Sequence, residues 1–267
     1  MNKVVLITGG SSGIGKSIGE FLHQKGFIVY GTSRNPDAVL NSVFPLVALD
    51  VRDVNSIRSA IDMVIATTGR LDVLINNAGV GITGPLEEIP TSEIKNNFET
   101  NFFGPIEVMK AVLPQMRQQK SGLIINVTSI AGYMGLPYRS VYSASKGALE
   151  LITEALRMEV KSFGIHITNV APGDFATNIA SGRFHAPLVK SSSYEIPYGT
   201  TLKMMDEHVD CGSDPNDMAV AVYNIIQTPS PKIHYKVGAF MQKFSIVLKR
   251  LLPDAVFEKI LMNHYKL

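Results

Sequence analysis

Apolar positions along this chain follow two rhythms. Short, nearly continuous runs rich in Val, Ile and Leu recur at residues 3–8, 27–32, 46–49, 73–76, 122–128 and 166–170. A strand with one wet face alternates apolar and polar residues, whereas a strand apolar throughout is covered on both sides. Between the runs, apolar residues recur every three or four positions, the period of a helix with one buried face. The pattern predicts helices beginning near Gly13, after Asp53, from residue 92 toward 119, from 142 to 163, and after Ser213-Asp214-Pro215. Pro105 and Pro114 are expected to bend or interrupt the third of these. Ser213-Asp214-Pro215 supplies capping side chains and a proline for a first turn.

Strands alternating with helices imply β–α–β units. The expected architecture is therefore α/β, a doubly wound parallel sheet of Rossmann type in one domain spanning residues 1–267. Ligands of such sheets bind beyond the carboxyl ends of the strands. Residues 178–212 break the rhythm, with weak periodicity and several Ser, Pro and Gly. The amphipathic pattern returns in a C-terminal extension, residues 232–267, where Phe240, Phe244, Val247, Leu248 and Leu251 recur at helical spacing. After Pro253, Val256, Phe257, Ile260 and Leu261 do the same.

Composition narrows the function. The chain has 267 residues, 45% hydrophobic and 18% charged, with a net charge of +2, too small for a nucleic-acid binder. The extension alone carries +5 and the remainder −3. A basic amphipathic tail suits an anionic membrane surface, and equally its own domain, a pocket or a dimer contact; the packing roles are preferred. The single cysteine, Cys211, has no basic neighbour in sequence and allows no internal disulfide. The six histidines are scattered without ligand spacing, so no metal is expected. Val4-Val5-Leu6-Ile7 is too short for a signal-peptide core, and no run approaches the ~18 apolar residues of a spanning helix. The expected address is cytoplasmic.

The candidate chemistry begins after the first strand, at Thr8-Gly9-Gly10-Ser11-Ser12-Gly13-Ile14-Gly15. Glycines allow a sharp turn and close approach to a pyrophosphate, and the following helix offers its N–H groups to that anion. The same segment reads as Gly-x-Ser-x-Gly with Ser11 as a nucleophile. Lying on the first strand, however, it has no earlier strand loop to form an oxyanion hole, and no His is convincingly placed as a base. The second strand ends at Ser33-Arg34, where a coenzyme without a 2′-phosphate usually meets a carboxylate. Arg34 suits a phosphate, so NADP(H) is favoured over NAD(H), unless Arg34 only stacks on adenine or faces water. Asp50-Val51 ends the third strand, where a carboxylate suits an adenine amino group. Asn76-Asn77-Ala78-Gly79 ends the fourth, with small residues where a ribose would pass.

Tyr142 and Lys146 lie four apart on an expected helix, with Ser129 thirteen residues upstream. Stacked on one face, an ammonium favours the phenolate of its neighbour and lowers its pKa. With a hydroxyl to hold a substrate oxygen, the trio reads as an acid/base device for an alcohol or ketone.

Together these residues resemble the short-chain dehydrogenase/reductase family, in its shorter single-domain branch. The resemblance rests on Thr8-x-x-x-Gly-Ile-Gly15, Asn76-Asn77-Ala78-Gly79, Asn101, Ser129 with Tyr142-x-x-x-Lys146, and Pro172-Gly173. It implies that Tyr142 exchanges the proton, Lys146 lowers its pKa and binds the nicotinamide ribose, and Ser129 orients the carbonyl. It further implies that Asn101 holds a water linking Lys146 to solvent, and that Pro172-Gly173 with Thr177 seats the carboxamide. The bound coenzyme supplies the hydride. Residues 178–212 would form a lid, with Met134, Leu136, Tyr138, Val141, Phe184, Leu188, Met204 and Met205 as candidate apolar lining. The tail is loosely similar to those of members acting on steroids, retinoids and other lipids, and the family often forms dimers or tetramers. The expectation is an NADP(H)-dependent oxidoreductase for an apolar, lipid-, steroid- or retinoid-like alcohol or ketone. The competing reading is a non-catalytic NADP(H) sensor or scaffold.

Overall fold

The computed structural model describes residues 2–175, 182–210 and 212–267. The first half of the chain runs through β1 (Val4–Ile7), α1 (Gly13–Gln24), β2 (Ile28–Ser33), β3 (Leu46–Ala48), α2 (Val54–Thr68), β4 (Val73–Asn76), β5 (Ile82–Thr83), α3 (Thr91–Phe98) and α4 (Gly104–Gln119). The second continues with β6 (Gly122–Val127), α5 (Ser140–Val160), β7 (Ile165–Pro172), β8 (Phe184–His185), α6 (Glu195–Asp210), α7 (Pro215–Gln227), β9 (His234–Val237), α8 (Phe240–Leu251) and α9 (Asp254–Tyr265).

Seven strands form one parallel sheet in the order β3-β2-β1-β4-β6-β7-β9, and β5 pairs with β8 separately. The chain moves outward from β1 to β3, returns to β4 beside β1, and then moves out the other way. Such a reversal opens a crevice at the carboxyl ends of β1 and β4. The expected doubly wound fold is the one found.

Continuous apolar strands follow from this layering. Val4 and Leu6 point to one face, among Ile57 and Ile61 of α2, Val108 and Val112 of α4, and Leu149 of α5. Val5 and Ile7 point to the other, among Ile18 and Leu22 of α1 and Met218 and Val222 of α7. Each such buried side chain is worth about 1.5–3 kcal/mol relative to exposure. Asp53 starts α2 by accepting from Asn55 N at 2.9 Å, and Asp214 starts α7 by accepting from Asn216 N at 2.9 Å, with Pro215 in its first turn.

Four expectations are corrected. The helix from 92 toward 119 breaks at a π-helical turn, Glu99–Phe103, and not at a proline. Pro105 sits in the first turn of α4, where its missing N–H is harmless, and Pro114 is accommodated within α4. The strand expected at 166–170 extends in both directions to Ile165–Pro172. The weakly periodic stretch read as a lid contains α6, whose Pro197 and Gly199 near its start resemble loop chemistry. The opening of the extension contributes β9, an edge strand paired with β7 through Asn169 and His234. Its side chains are all half-buried, so the apolar signal is weak.

The rest of the extension packs back on the domain. Ile246 of α8 and Phe257 of α9 are buried against Ile130, Met134 and Ala171. The opposite side of α8 leaves Phe240, Met241, Phe244, Val247 and Leu251 exposed, with the Phe240 and Phe244 rings stacked 5.7 Å apart. Among the described residues, no helix is long and apolar enough to cross a membrane.

Candidate active site

A cleft of about 720 Å³ opens at the carboxyl ends of β1, β2, β3 and β4. Its wall at the β1–α1 turn is a backbone surface. Gly9 and Gly13 take left-handed conformations, at φ +65° and +51°, which L side chains rarely adopt. Ser12 stands at the N-cap of α1 without a side-chain capping bond, and no acidic residue occupies the first turn. The helix therefore presents N–H groups and its positive dipole end to the cleft. Gly9, Ser11, Ser12, Gly13 and Ile14 all line the cleft.

Gly15 does not line it and acts one layer behind. A Cβ there would fall well under 3.0 Å from the Gly9 carbonyl oxygen and Asn77 Nδ2. Asn77 Nδ2 donates to the carbonyls of Thr8 and Gly9 at 3.0 and 3.1 Å, while Thr8 Oγ1 accepts from Asn77 N and Ala78 N, each at 3.0 Å. These bonds tie the glycine turn to the end of β4. Asn77, Ala78 and Gly79 form the adjoining wall.

Arg34, Asp50 and Val51 line the far end of the cleft, together with Arg52, a residue the sequence reading missed. Arg52 Nη2 is 3.0 Å from Asp50 Oδ2, and Arg52 Nε donates to Asp50 Oδ1 at 3.2 Å. The hydrogen bond from Arg52 is the largest cause holding the Asp50 carboxyl below its ordinary value, with a smaller contribution from Arg34. Asp50 thus faces the cleft as half of an ion pair.

The acid/base set stands at the other end. Tyr142 and Lys146 lie on α5, and both line the main cleft. Tyr142 also lines a smaller pocket of about 80 Å³ with Ser129, Arg139, Pro172, Gly173, Asp174 and Arg183. Ser129 accepts from Ala131 N at 3.1 Å, which fixes its position in the smaller pocket it lines with Tyr142. Burial pushes the phenol above its ordinary value, against Ser129 and the guanidiniums of Arg139 and Arg183, which pull it down. This corrects the sequence expectation of a lowered pKa: desolvation outweighs the nearby charges. Lys146 is 4% exposed, donates to the Val127 carbonyl at 2.9 Å, and is lowered by burial to about 8.

Asn101 is buried on the π-helical turn, with Oδ1 accepting from Val80 N at 2.8 Å and Nδ2 donating to Val80 O at 2.9 Å. A Cβ on Gly79 would meet Asn101 Oδ1 at 3.2 Å and Lys146 Nζ at 3.3 Å, so the two groups converge on one glycine. Pro172 ends β7 and Gly173 follows it, both lining the smaller pocket. Thr177 lies outside the described residues.

Of the candidate apolar lining, Phe184 lines the main cleft, and Tyr138, Val141 and Phe184 pack with Tyr142. Met205 is buried beside Thr83, Met204 is half-buried and Leu188 is half-exposed. Met134 and Leu136 pack instead against the C-terminal extension. Sequence reasoning also missed Arg139, Asp174 and Gln242. Gln242 Nε2 on α8 donates to Asp174 Oδ2 at 2.7 Å, Gln242 Oε1 accepts from Asp174 N at 3.2 Å, and Arg139 Nη1 lies 3.9 Å from Asp174 Oδ1.

Known proteins resemble this chain in sequence and fold. Residues 3–187 match the profile of the short chain dehydrogenase family. A 3-ketodihydrosphingosine reductase of Bacteroides thetaiotaomicron is 40% identical over 264 residues, 98% of each chain. A crystal structure of a short-chain dehydrogenase from Streptomyces avermitilis superposes with a TM-score of 0.86 at 31% identity, covering 100% of this chain and 97% of the other. The structure of ElxO with NADP bound superposes at 0.71 with 29% identity, covering 89% of this chain and 97% of that one.

Proposed function

Because the chain belongs to the short-chain dehydrogenase family, and so to its oxidoreductases, we propose that it is an NADP(H)-dependent reductase of a ketone carried on a long apolar chain. One observation carries the reading. Tyr142 lines both the main cleft and the smaller pocket, so a single phenol stands between a coenzyme-sized groove and a space for substrate.

The cleft fits a dinucleotide on its own terms. Its wall is left-handed glycine backbone and an uncapped helix N-terminus suited to a pyrophosphate. Two guanidiniums, Arg34 and Arg52, line the cleft and could hold a 2′-phosphate, and β2 ends without a carboxylate. ElxO, 29% identical, is a relative with NADP bound.

When bound, the coenzyme supplies hydride to the carbonyl carbon. This chain's residues do the rest. Ser129 orients the carbonyl oxygen, and Tyr142 gives it a proton. Lys146, as an ammonium, balances the phenolate left behind. Asn101 braces the loop between β4 and β5 at Val80, near Lys146. The elevated phenol keeps its proton through neutral pH, as a donor for reduction should.

A lipid ketone is supported by three observations. The relative sharing 40% of its residues is a 3-ketodihydrosphingosine reductase. The smaller pocket joins Phe175 to Arg139 and Asp174, a setting for a polar head beside an apolar chain. The exposed stripe Phe240, Phe244, Val247 and Leu251 lies close to Lys243 and Arg250, on the helix that sends Gln242 to Asp174. That face suits an anionic lipid surface where such a substrate resides.

The test is NADPH oxidation across a panel of ketones that includes 3-ketodihydrosphingosine, with native enzyme and Tyr142→Phe. Loss of general acid catalysis should lower kcat about 10²–10⁴-fold. Affinity for NADPH should stay nearly unchanged. Undiminished turnover in the variant would remove Tyr142 from the chemistry, and tight NADPH binding without any turnover would favour a sensor.

A further inference from the structure

The mechanism above leaves a buried charge unused. Glu150 lies on α5 four residues beyond Lys146 and eight beyond Tyr142, on the same face of the helix, and is 5% exposed. Its Oε1 accepts from the hydroxyl of Thr128, a residue lining the main cleft. Its Oε2 accepts from Asn169 Nδ2 at 3.1 Å and lies 2.9 Å from His234 Nδ1 on β9. The other ring nitrogen of His234 is 3.1 Å from Glu154 Oε1 at the surface of α5, and Tyr133 Oη is 3.1 Å from Nδ1. The cations facing this cluster are Lys236 of β9, set 5.3 Å over the Tyr133 ring, and Arg250 of α8.

Lys146 has the complementary problem. It is nearly fully buried, and its hydrogen bond to the Val127 carbonyl supplies a dipole and no counter-charge. A buried ammonium without an anion is strongly disfavoured. We propose that Glu150 is a positioning residue for the reaction: its buried carboxylate, held between Thr128, Asn169 and His234, keeps Lys146 an ammonium in the cleft. This rests on the reading of Tyr142 and Lys146 given above.

The sign follows directly. Burial lowers Lys146 to about 8, and the Glu150 charge opposes that fall. Removing the charge lets the lysine deprotonate at lower pH. Reduction needs the ammonium, so activity is present below the lysine pKa and lost above it. The alkaline limb of kcat/KM should therefore move down in Glu150→Gln, by about one pH unit for the loss of one nearby charge.

Three variants make the test specific. Glu150→Gln should lower the alkaline limb, and the pH at which NADPH affinity falls should drop with it. Glu150→Asp keeps the charge and should restore the limb even if kcat suffers. His234→Gln breaks the same network from β9 but leaves the carboxylate in place, so the limb should not fall. An unmoved limb in Glu150→Gln overturns the proposal. So does an equal fall in all three variants, which would assign the effect to packing. NADPH affinity is read without turnover. If no ketone is reduced even by native enzyme, the catalytic reading fails while the coenzyme titration still decides the role of Glu150.

Discussion

Replacing Gly15 by Ala adds one methyl group where the structure has no room for it. In an exposed helix this change would stabilise by up to about 1 kcal/mol. Here the new Cβ would press on the Gly9 carbonyl oxygen and Asn77 Nδ2, both far inside the 3.0 Å limit of real Cβ contacts. The Gly9 oxygen belongs to backbone and cannot swing aside. Overpacking of this kind costs about 1–3 kcal/mol. Forcing the turn open also removes the hydrogen bond from Asn77 to Gly9, worth about 0.5–1.5 kcal/mol. The net loss is about 2 kcal/mol, or about 4–8 °C in Tm for a domain of this size. NADPH affinity should fall too, because the displaced turn is the wall of the cleft. The assay is thermal unfolding by circular dichroism, with and without NADPH, beside Gly135→Ala as control. A Cβ on Gly135 meets nothing within 4 Å. If the two variants melt together, the steric reasoning is wrong.

Two further outcomes are expected. Arg34→Ala should weaken NADPH about tenfold or more while leaving NADH little changed, as a lost charge-assisted contact to phosphate does; equal loss for both coenzymes in fluorescence titrations would mean that Arg34 does not read the phosphate. Changing Phe240 and Phe244 together to Glu should abolish co-sedimentation with anionic liposomes and leave unfolding unaffected, because both rings are exposed on α8; binding that persists would exclude that face as the lipid contact.

The glycine turn and Tyr142-x-x-x-Lys146 were legible in sequence because each is a local pattern: spacing along a strand–turn–helix or down one helix face places the groups. The parallel sheet beside them, covered on both faces, followed from continuous apolar runs, whereas its strand order came only with the structure. What was hidden is long-range. Arg52 looks like an ordinary loop residue until it folds over Asp50. Gln242 is more than sixty residues from Asp174, and nothing in its neighbourhood marks it as the partner of a pocket residue. His234 belongs to an edge strand whose side chains are only half-buried, so no strong periodicity flags either the strand or its link to Glu150. The phenol's direction of shift was misjudged for a related reason. Helical spacing reports which charges are neighbours, whereas desolvation depends on every element packed around the ring.

Gln242 has a practical consequence for anyone shortening this protein. Its amide clasps both the carboxylate and the backbone N–H of Asp174, on the shelf just after Pro172 and Gly173. A form cut before α8 would retain every residue lining the main cleft but lose Gln242 and the cover that Ile246 and Phe257 give to Ile130, Met134 and Ala171. Its substrate preferences, however, would be those of a loosened shelf, and a screen run on it would rank the wrong compounds.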